Sequence, residues 1–192
     1  EGVRYRGEWR RGLAVVNGLG VRGRRLGADV FERVRDEVPM DLVGMRSEEF
    51  GGLGEIQAQE LPAFEARYRF FFNPIRYTSL GLAVCEAMMI GMPVVGLATT
   101  EMVTAVESGQ RGYVDTDVGK LIERMRDLLN DYREAKRLGD NARRYALERF
   151  NIRRFCRDWD EAFRHVTGGR RIQTLVSANV NSWTEQYESP RI

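Results

Sequence analysis

Asn73-Pro74-Ile75-Arg76-Tyr77-Thr78-Ser79-Leu80-Gly81-Leu82-Ala83-Val84-Cys85-Glu86-Ala87-Met88-Met89-Ile90-Gly91-Met92-Pro93-Val94-Val95-Gly96 reads as strand, loop, helix, turn and strand. Arg69 to Asn73 and Pro93 to Leu97 are short, mostly apolar runs of the kind that fully buried parallel strands make. Ser79 to Ile90 between them is helix-forming. The loop lies at the carboxyl end of a parallel strand, where open α/β sheets bind ligands. A helix starting near Ser79 to Gly81 offers unpaired N–H groups to an anion such as phosphate, and Gly81 lets a ligand come close to the backbone. Glu86 stands in an otherwise apolar helical run. A buried carboxylate without partners costs several kcal/mol, so Glu86 is expected to reach either an arginine or a pair of ligand hydroxyls.

Working outward, Leu13 to Asn17, Met40 to Gly44 and Gly112 to Asp115 are three further candidate strands. Gly27 to Val34, Leu61 to Tyr68 and Glu101 to Ser108 are candidate helices. Strand and helix alternate, which predicts an α/β fold: a Rossmann-like doubly wound parallel sheet with helices on both faces. After the last strand the pattern is helical. Asp117 caps a helix with Val118, Leu121, Ile122, Met125, Leu128 and Leu129 on one side. A second helix covers Tyr132 to Phe150, with a break expected near Gly139-Asp140. Asn151 caps a third, whose stripe Ile152, Phe155, Trp159, Phe163 and Val166 is expected to pack in a core. The expected organisation is a nucleotide-binding domain over residues 1–167 with this helical extension, then a polar tail over residues 168–192.

The chain has 192 residues, with 30 Lys+Arg against 28 Asp+Glu, one His and two Cys. An apolar share of 43% excludes disorder as the main state. Two distant cysteines exclude a disulfide scaffold, and no apolar run reaches the roughly 20 residues that span a bilayer. All basic residues but Lys120 and Lys136 are arginines, a composition that suits phosphate or nucleic acid. Most are interleaved with acids, as in Glu32-Arg33-Val34-Arg35-Asp36-Glu37, which makes solvated helix faces and argues against nucleic acid as a partner. Arg22-Gly23-Arg24-Arg25 is the uncompensated exception. His165 falls in a helix's last turn, where a histidine complements the dipole, and nothing pairs it with a nucleophile. The charged start, Glu1 to Arg11, has no apolar leader segment. A cytoplasmic location is therefore expected, with a longer parent chain that associates peripherally with membranes. No Walker loop is present, which argues against a P-loop nucleotide protein.

Gly81-x4-Glu86-Ala87-Met88-x2-Gly91-x-Pro93-Val94-Val95 resembles the donor-site signature of retaining glycosyltransferases of the GT-B fold, glycosyltransferase family 4 in particular. Asp41-Leu42-Val43-Gly44 is similar to the strand before the nucleobase loop. Gly109-x2-Gly112-Tyr113-Val114 resembles a turn near the domain's end. Leu138-Gly139-x2-Ala142-Arg143 through Glu148-Arg149-Phe150 resembles the closing helix pair. The likeness runs from Leu13 to Val166.

The resemblance implies the C-terminal, donor-binding half of such an enzyme. Its substrate would be a nucleoside diphosphate sugar of UDP or GDP type, with neither cofactor nor metal, and an N-terminal acceptor domain would belong to the same parent chain. The first residue being Glu1 fits a chain that continues before it. By the same likeness, Glu86 would bind the ribose hydroxyls, and backbone N–H groups of Ser79, Leu80 and Gly81 would hold diphosphate and sugar. Arg22, Arg24 and Arg25 would neutralise the diphosphate, and the base would lie near Met45 to Phe50. Thr78 stands where the family has the first Glu of its Glu-x7-Glu motif, and Thr104 where it has another Glu. Gly27 matches the last glycine of the family's first loop. The alternative is a non-catalytic nucleotide-sugar-binding or interaction module on the same scaffold, which the missing carboxylate at Thr78 favours.

Overall fold

A computed structural model describes residues 2–168. The chain divides into two compact units, one ending at Phe150 and one beginning at Asn151. The first unit holds five strands: β1 (Trp9–Val15), β2 (Met40–Val43), β3 (Tyr68–Asn73), β4 (Val94–Leu97) and β5 (Gly112–Asp115). Its helices are α1 (Leu19–Arg22), α2 (Ala28–Arg35), α3 (Leu61–Glu65), α4 (Leu82–Ile90), α5 (Met102–Val106), α6 (Val118–Asn130) and α7 (Tyr132–Arg149). The strands are all parallel in the order β2-β1-β3-β4-β5. The chain leaves β1 toward β2 and returns on the other side of β1 as β3. The β1/β3 boundary is therefore the switch point of a doubly wound, Rossmann-like sheet.

Alternation along each strand feeds two cores. Ala14, Leu42, Phe70, Phe72 and Val95 pack on one face against Phe31 and Val34 of α2 and Leu121 and Met125 of α6. Leu13, Val43, Phe71 and Val94 pack on the other face against Val84 and Met88 of α4 and Ala142 and Ala146 of α7. Every residue of β3 is buried, as expected for the central strand of a sheet covered on both faces.

All five expected strands form. The helix expected over Leu61 to Tyr68 ends at Glu65, because Tyr68 pairs with Trp9 and starts β3. The break expected near Gly139 is absent, and α7 runs on to Arg149. A Cβ at Gly139 would lie 2.0 Å from the Gly91 carbonyl oxygen, so this glycine lets α7 press onto the end of α4 and does not interrupt the helix. The cap expected at Asp117 forms, accepting from the Gly119 N–H, and Asp131 likewise caps α7 by accepting from the Glu134 N–H.

The second unit is described through α8 (Ile152–Val166), capped by Asn151, which accepts from the Arg154 N–H. Its apolar stripe forms, with Trp159 against both Phe155 and Phe163, but the expectation of a packed stripe is corrected: all five residues are exposed, Val166 to 82%. Helical periodicity reports that a helix is amphipathic and says nothing about what covers it. Of the expected tail, all but Gly168 lies outside the described residues. Among the described residues no helix is long and apolar enough to cross a membrane.

One buried charge ties the first unit together. Arg69 of β3 is 6% exposed. Its Nε donates to the Gly7 carbonyl, and its Nη1 donates to the Leu128 and Leu129 carbonyls in the last turn of α6. The guanidinium meets the negative end of that helix and lies 5.3 Å from the Tyr132 ring centre. Arg69→Ala is predicted to cost about 1–3 kcal/mol in urea unfolding, because buried carbonyls lose their donor. A change below about 0.5 kcal/mol, the range of an ordinary surface substitution, would contradict that role.

Candidate functional site

At the switch point three loops meet above the carboxyl ends of the strands. After β1 the chain passes Val16, Asn17 and Gly18 into α1 and a short 3-10 turn, Gly23–Leu26. After β3 it runs from Pro74 to Gly81. These two loops touch at Gly27, whose φ is +78° and where a Cβ would sit 2.0 Å from the Pro74 carbonyl oxygen. Only glycine satisfies both demands. Arg76 then reaches across. Its guanidinium is bidentate on Asp29 and also donates to the Arg24 carbonyl. Asp29 is held below the usual carboxylate range, chiefly by its hydrogen bond with Arg76. On the other flank, Thr99 and Thr100 donate to the carbonyls of Ile75 (3.5 Å) and Thr78 (2.7 Å). Asn17 Oδ1 accepts from the Met45 N–H, linking the loop after β1 to that after β2.

Between the loops lies a cavity of about 300 Å³, lined by Asn17, Arg22, Arg25, Tyr77 and Thr78 among others. Arg22, Arg25 and Thr78, singled out in the sequence, thus meet in one place. Neither Arg22 nor Arg25 has a hydrogen-bonded or ion-paired side chain among the described residues, so two arginines line the cavity uncompensated. Arg24 does not line it, and serves instead through its carbonyl, which accepts from Arg76.

The helix after this loop starts later than expected. Gly81 is the N-cap of α4, extended at φ −75° and ψ 152°, and no side chain caps it. Ser79 and Leu80 therefore belong to the loop, and the open N–H groups of the helix start are those of Leu82 and Ala83, since Val84 and Cys85 already donate to the Gly81 carbonyl. A Cβ at Gly81 would meet nothing within 4 Å. Neither φ nor packing requires glycine there, which leaves room for an external group.

Glu86 departs from expectation. It is exposed and makes no hydrogen bond or ion pair among the described residues, so the premise of a buried carboxylate is overturned. α4 is apolar nearly all round, and its composition hides which side faces out. The buried carboxyl is that of Glu65 on α3, 1% exposed, with Oε1 lacking a partner. Burial, with a smaller contribution from the charge of Glu86, pushes Glu65 up to about 8. The sequence reading missed Glu65, as it did Asn17, Arg76, Asp29 and Tyr77. An acid among Leu61, Phe64 and Ala66 was the available signal for Glu65.

A larger cavity, about 570 Å³, lies along β5 and α6. Its two cations are already paired: Lys120 with Asp115 and Arg124 with Asp127, and the Tyr113 hydroxyl donates to Glu134. It lies at the outer edge of the sheet, away from the switch point, so the smaller cavity is the better candidate. Among the described residues no three His, Cys, Asp or Glu side chains are placed to hold a metal ion.

The family described as "Glycosyl transferases group 1" matches residues 28–131. The chain belongs to this family. No curated protein matches it in sequence. Among solved structures, a mutant of TarM from S. aureus in a complex containing UDP is similar at TM-score 0.70 and 16% identity, over 85% of this chain and 37% of that one. Sucrose-phosphate synthase from Thermosynechococcus elongatus is similar at 0.66 and 20%, over 82% and 46%. HepE from Anabaena with UDP-glucose is similar at 0.63 and 17%, over 79% and 48%. Identities this low carry the fold alone. This group 1 chain spans less than half of each of these proteins, and its parallel sheet with C-terminal helices is one half of a GT-B fold.

The Glu65 carboxyl gives a stability test. Its folded pKa lies above the unfolded value, so between about pH 4.5 and 8 the unfolded chain has released a proton that the folded chain retains. Stability from this group is complete below the unfolded pKa and is lost as pH rises through the folded one. Glu65→Gln should therefore raise Tm relative to wild type more at pH 8 than at pH 5. An equal difference at both pH values would contradict a buried, protonated Glu65.

Proposed function

We propose that this chain is the donor-binding half of a retaining, family-4-like glycosyltransferase and binds a nucleoside diphosphate sugar of UDP or GDP type. One observation carries the reading: Arg22 and Arg25, unpaired among the described residues, line one cavity at the switch point with Thr78, on the loop that leads into the uncapped N-terminus of α4. Departure of a nucleoside diphosphate builds negative charge, and fixed cations and N–H dipoles stabilise it. In this reading the diphosphate lies between Arg22, Arg25 and the backbone from Ser79 to Gly81. Glu86, with no partner among the described residues, accepts the ribose hydroxyls. The base lies by Met45 to Phe50. The bound UDP and UDP-glucose of the TarM and HepE structures agree in ligand class. The protein's contribution is positioning and leaving-group stabilisation. An acceptor-binding domain of the parent chain supplies the rest, so these residues alone are not expected to transfer sugar.

Thr78 favours a second reading, a non-catalytic nucleotide-sugar-binding module, because the carboxylate of the resembling enzymes is missing there. A hydroxyl still bonds a sugar hydroxyl, so binding is common to both readings. The expected outcome in thermal melting is that UDP or GDP raises Tm. Glu86→Ala should remove most of that shift, and the Arg22→Ala/Arg25→Ala pair should remove nearly all of it. No shift with any nucleoside diphosphate would sink both readings. Donor hydrolysis or transfer by the parent chain separates them, and an inactive parent selects the module.

A further inference from the structure

The loop after β4 holds a strained threonine. Thr100 has φ +42°, a left-handed conformation in which a β-branched residue is an outlier. It is exposed, so core packing does not select it, and glycine or asparagine would occupy this backbone more easily. From this conformation its hydroxyl donates to the Thr78 carbonyl at 2.7 Å. Strain of this kind persists only where the surroundings fix it, and it collects at ligand sites. Thr78 belongs to the cavity wall that includes Arg22 and Arg25.

We infer that Thr100 is a positioning residue for the nucleoside diphosphate site, its hydroxyl holding the Thr78 carbonyl so that the Thr78–Gly81 backbone stands at a fixed distance from Arg22 and Arg25. The inference rests on the donor-binding function proposed above. A diphosphate gripped from two sides needs both sides in register, and a misplacement of about 1 Å on one side loses the joint contact. Arg76 sets the near flank of the loop through Asp29. Thr100 sets the far flank, and it acts through Thr78 without touching the ligand.

The test is calorimetric titration of UDP, and separately GDP, into the full chain as wild type, Thr100→Ser, Thr100→Ala and Thr100→Gly, with the Tm of each unliganded protein. Serine keeps the hydroxyl and should leave Kd within about twofold of wild type. Alanine and glycine lose one hydrogen bond's worth of positioning and should weaken binding about three- to tenfold. Glycine also relieves the left-handed strain, so its Tm should not fall below wild type. A weaker Kd in a glycine variant of undiminished Tm separates positioning from folding. Unchanged Kd in both the alanine and glycine variants, whatever their Tm, overturns the role of Thr100 and leaves the donor-site reading standing. Wild-type protein that binds neither nucleotide overturns the donor-site reading, and the role of Thr100 falls with it.

Discussion

The seating of Pro74 on Gly27, with Arg76 locked on Asp29 beside it, is the constraint on which the site depends. Glycine at 27 removes the Cβ that would otherwise lie 2.0 Å from the Pro74 carbonyl oxygen, and the loops after β1 and β3 close on each other. The ion pair is about half exposed on the Asp29 side, so its own contribution to stability is at most about 1 kcal/mol. Its value is geometric: a bidentate fork fixes direction as well as distance. It also consumes the positive charge of Arg76. The cationic surplus of the cavity is left to Arg22 and Arg25, which line it together with Thr78.

The loops are exact only because the body beneath them is rigid. β3 is buried along its whole length and carries the loop at its carboxyl end. The guanidinium of Arg69, near the other end of the strand, gathers the carbonyls of Gly7 and of the last turn of α6. α4, which receives the other end of the loop, is pressed against α7 through Gly91 and Gly139. The loop from Pro74 to Gly81 is thus strung between two elements that have little freedom to move. Ligand groups on loops borrow their precision from such supports.

The sheet was legible in the sequence because strands buried on both faces appear as unbroken apolar runs. Phe70-Phe71-Phe72 and Pro93-Val94-Val95 are unmistakable in that sense. Arg22 and Arg25 stood out because they break an otherwise balanced charge pattern, and Thr78 was singled out by the family resemblance. What failed did so for physical reasons. Gly139 looks the same whether it ends a helix or admits a close neighbour. Glu86 is exposed against expectation because an all-apolar helix has no pattern to say which side faces solvent. The pairing of Arg76 with Asp29 spans 47 residues, and the link from Thr100 to Thr78 depends on a backbone angle. Neither leaves a trace in local periodicity. The exposed stripe of α8 shows the same limit, since periodicity creates the face and the chain elsewhere decides its cover.

The central claim is that the cavity at the β1/β3 switch point holds a diphosphate. A crystal structure of the chain soaked with UDP tests it most directly. The account predicts density for both phosphates between the guanidinium groups of Arg22 and Arg25 and the backbone from Ser79 to Leu82, with the ribose turned toward Glu86. Nucleotide bound along β5 and α6, or at any site that leaves Arg22 and Arg25 without an anion, would contradict it.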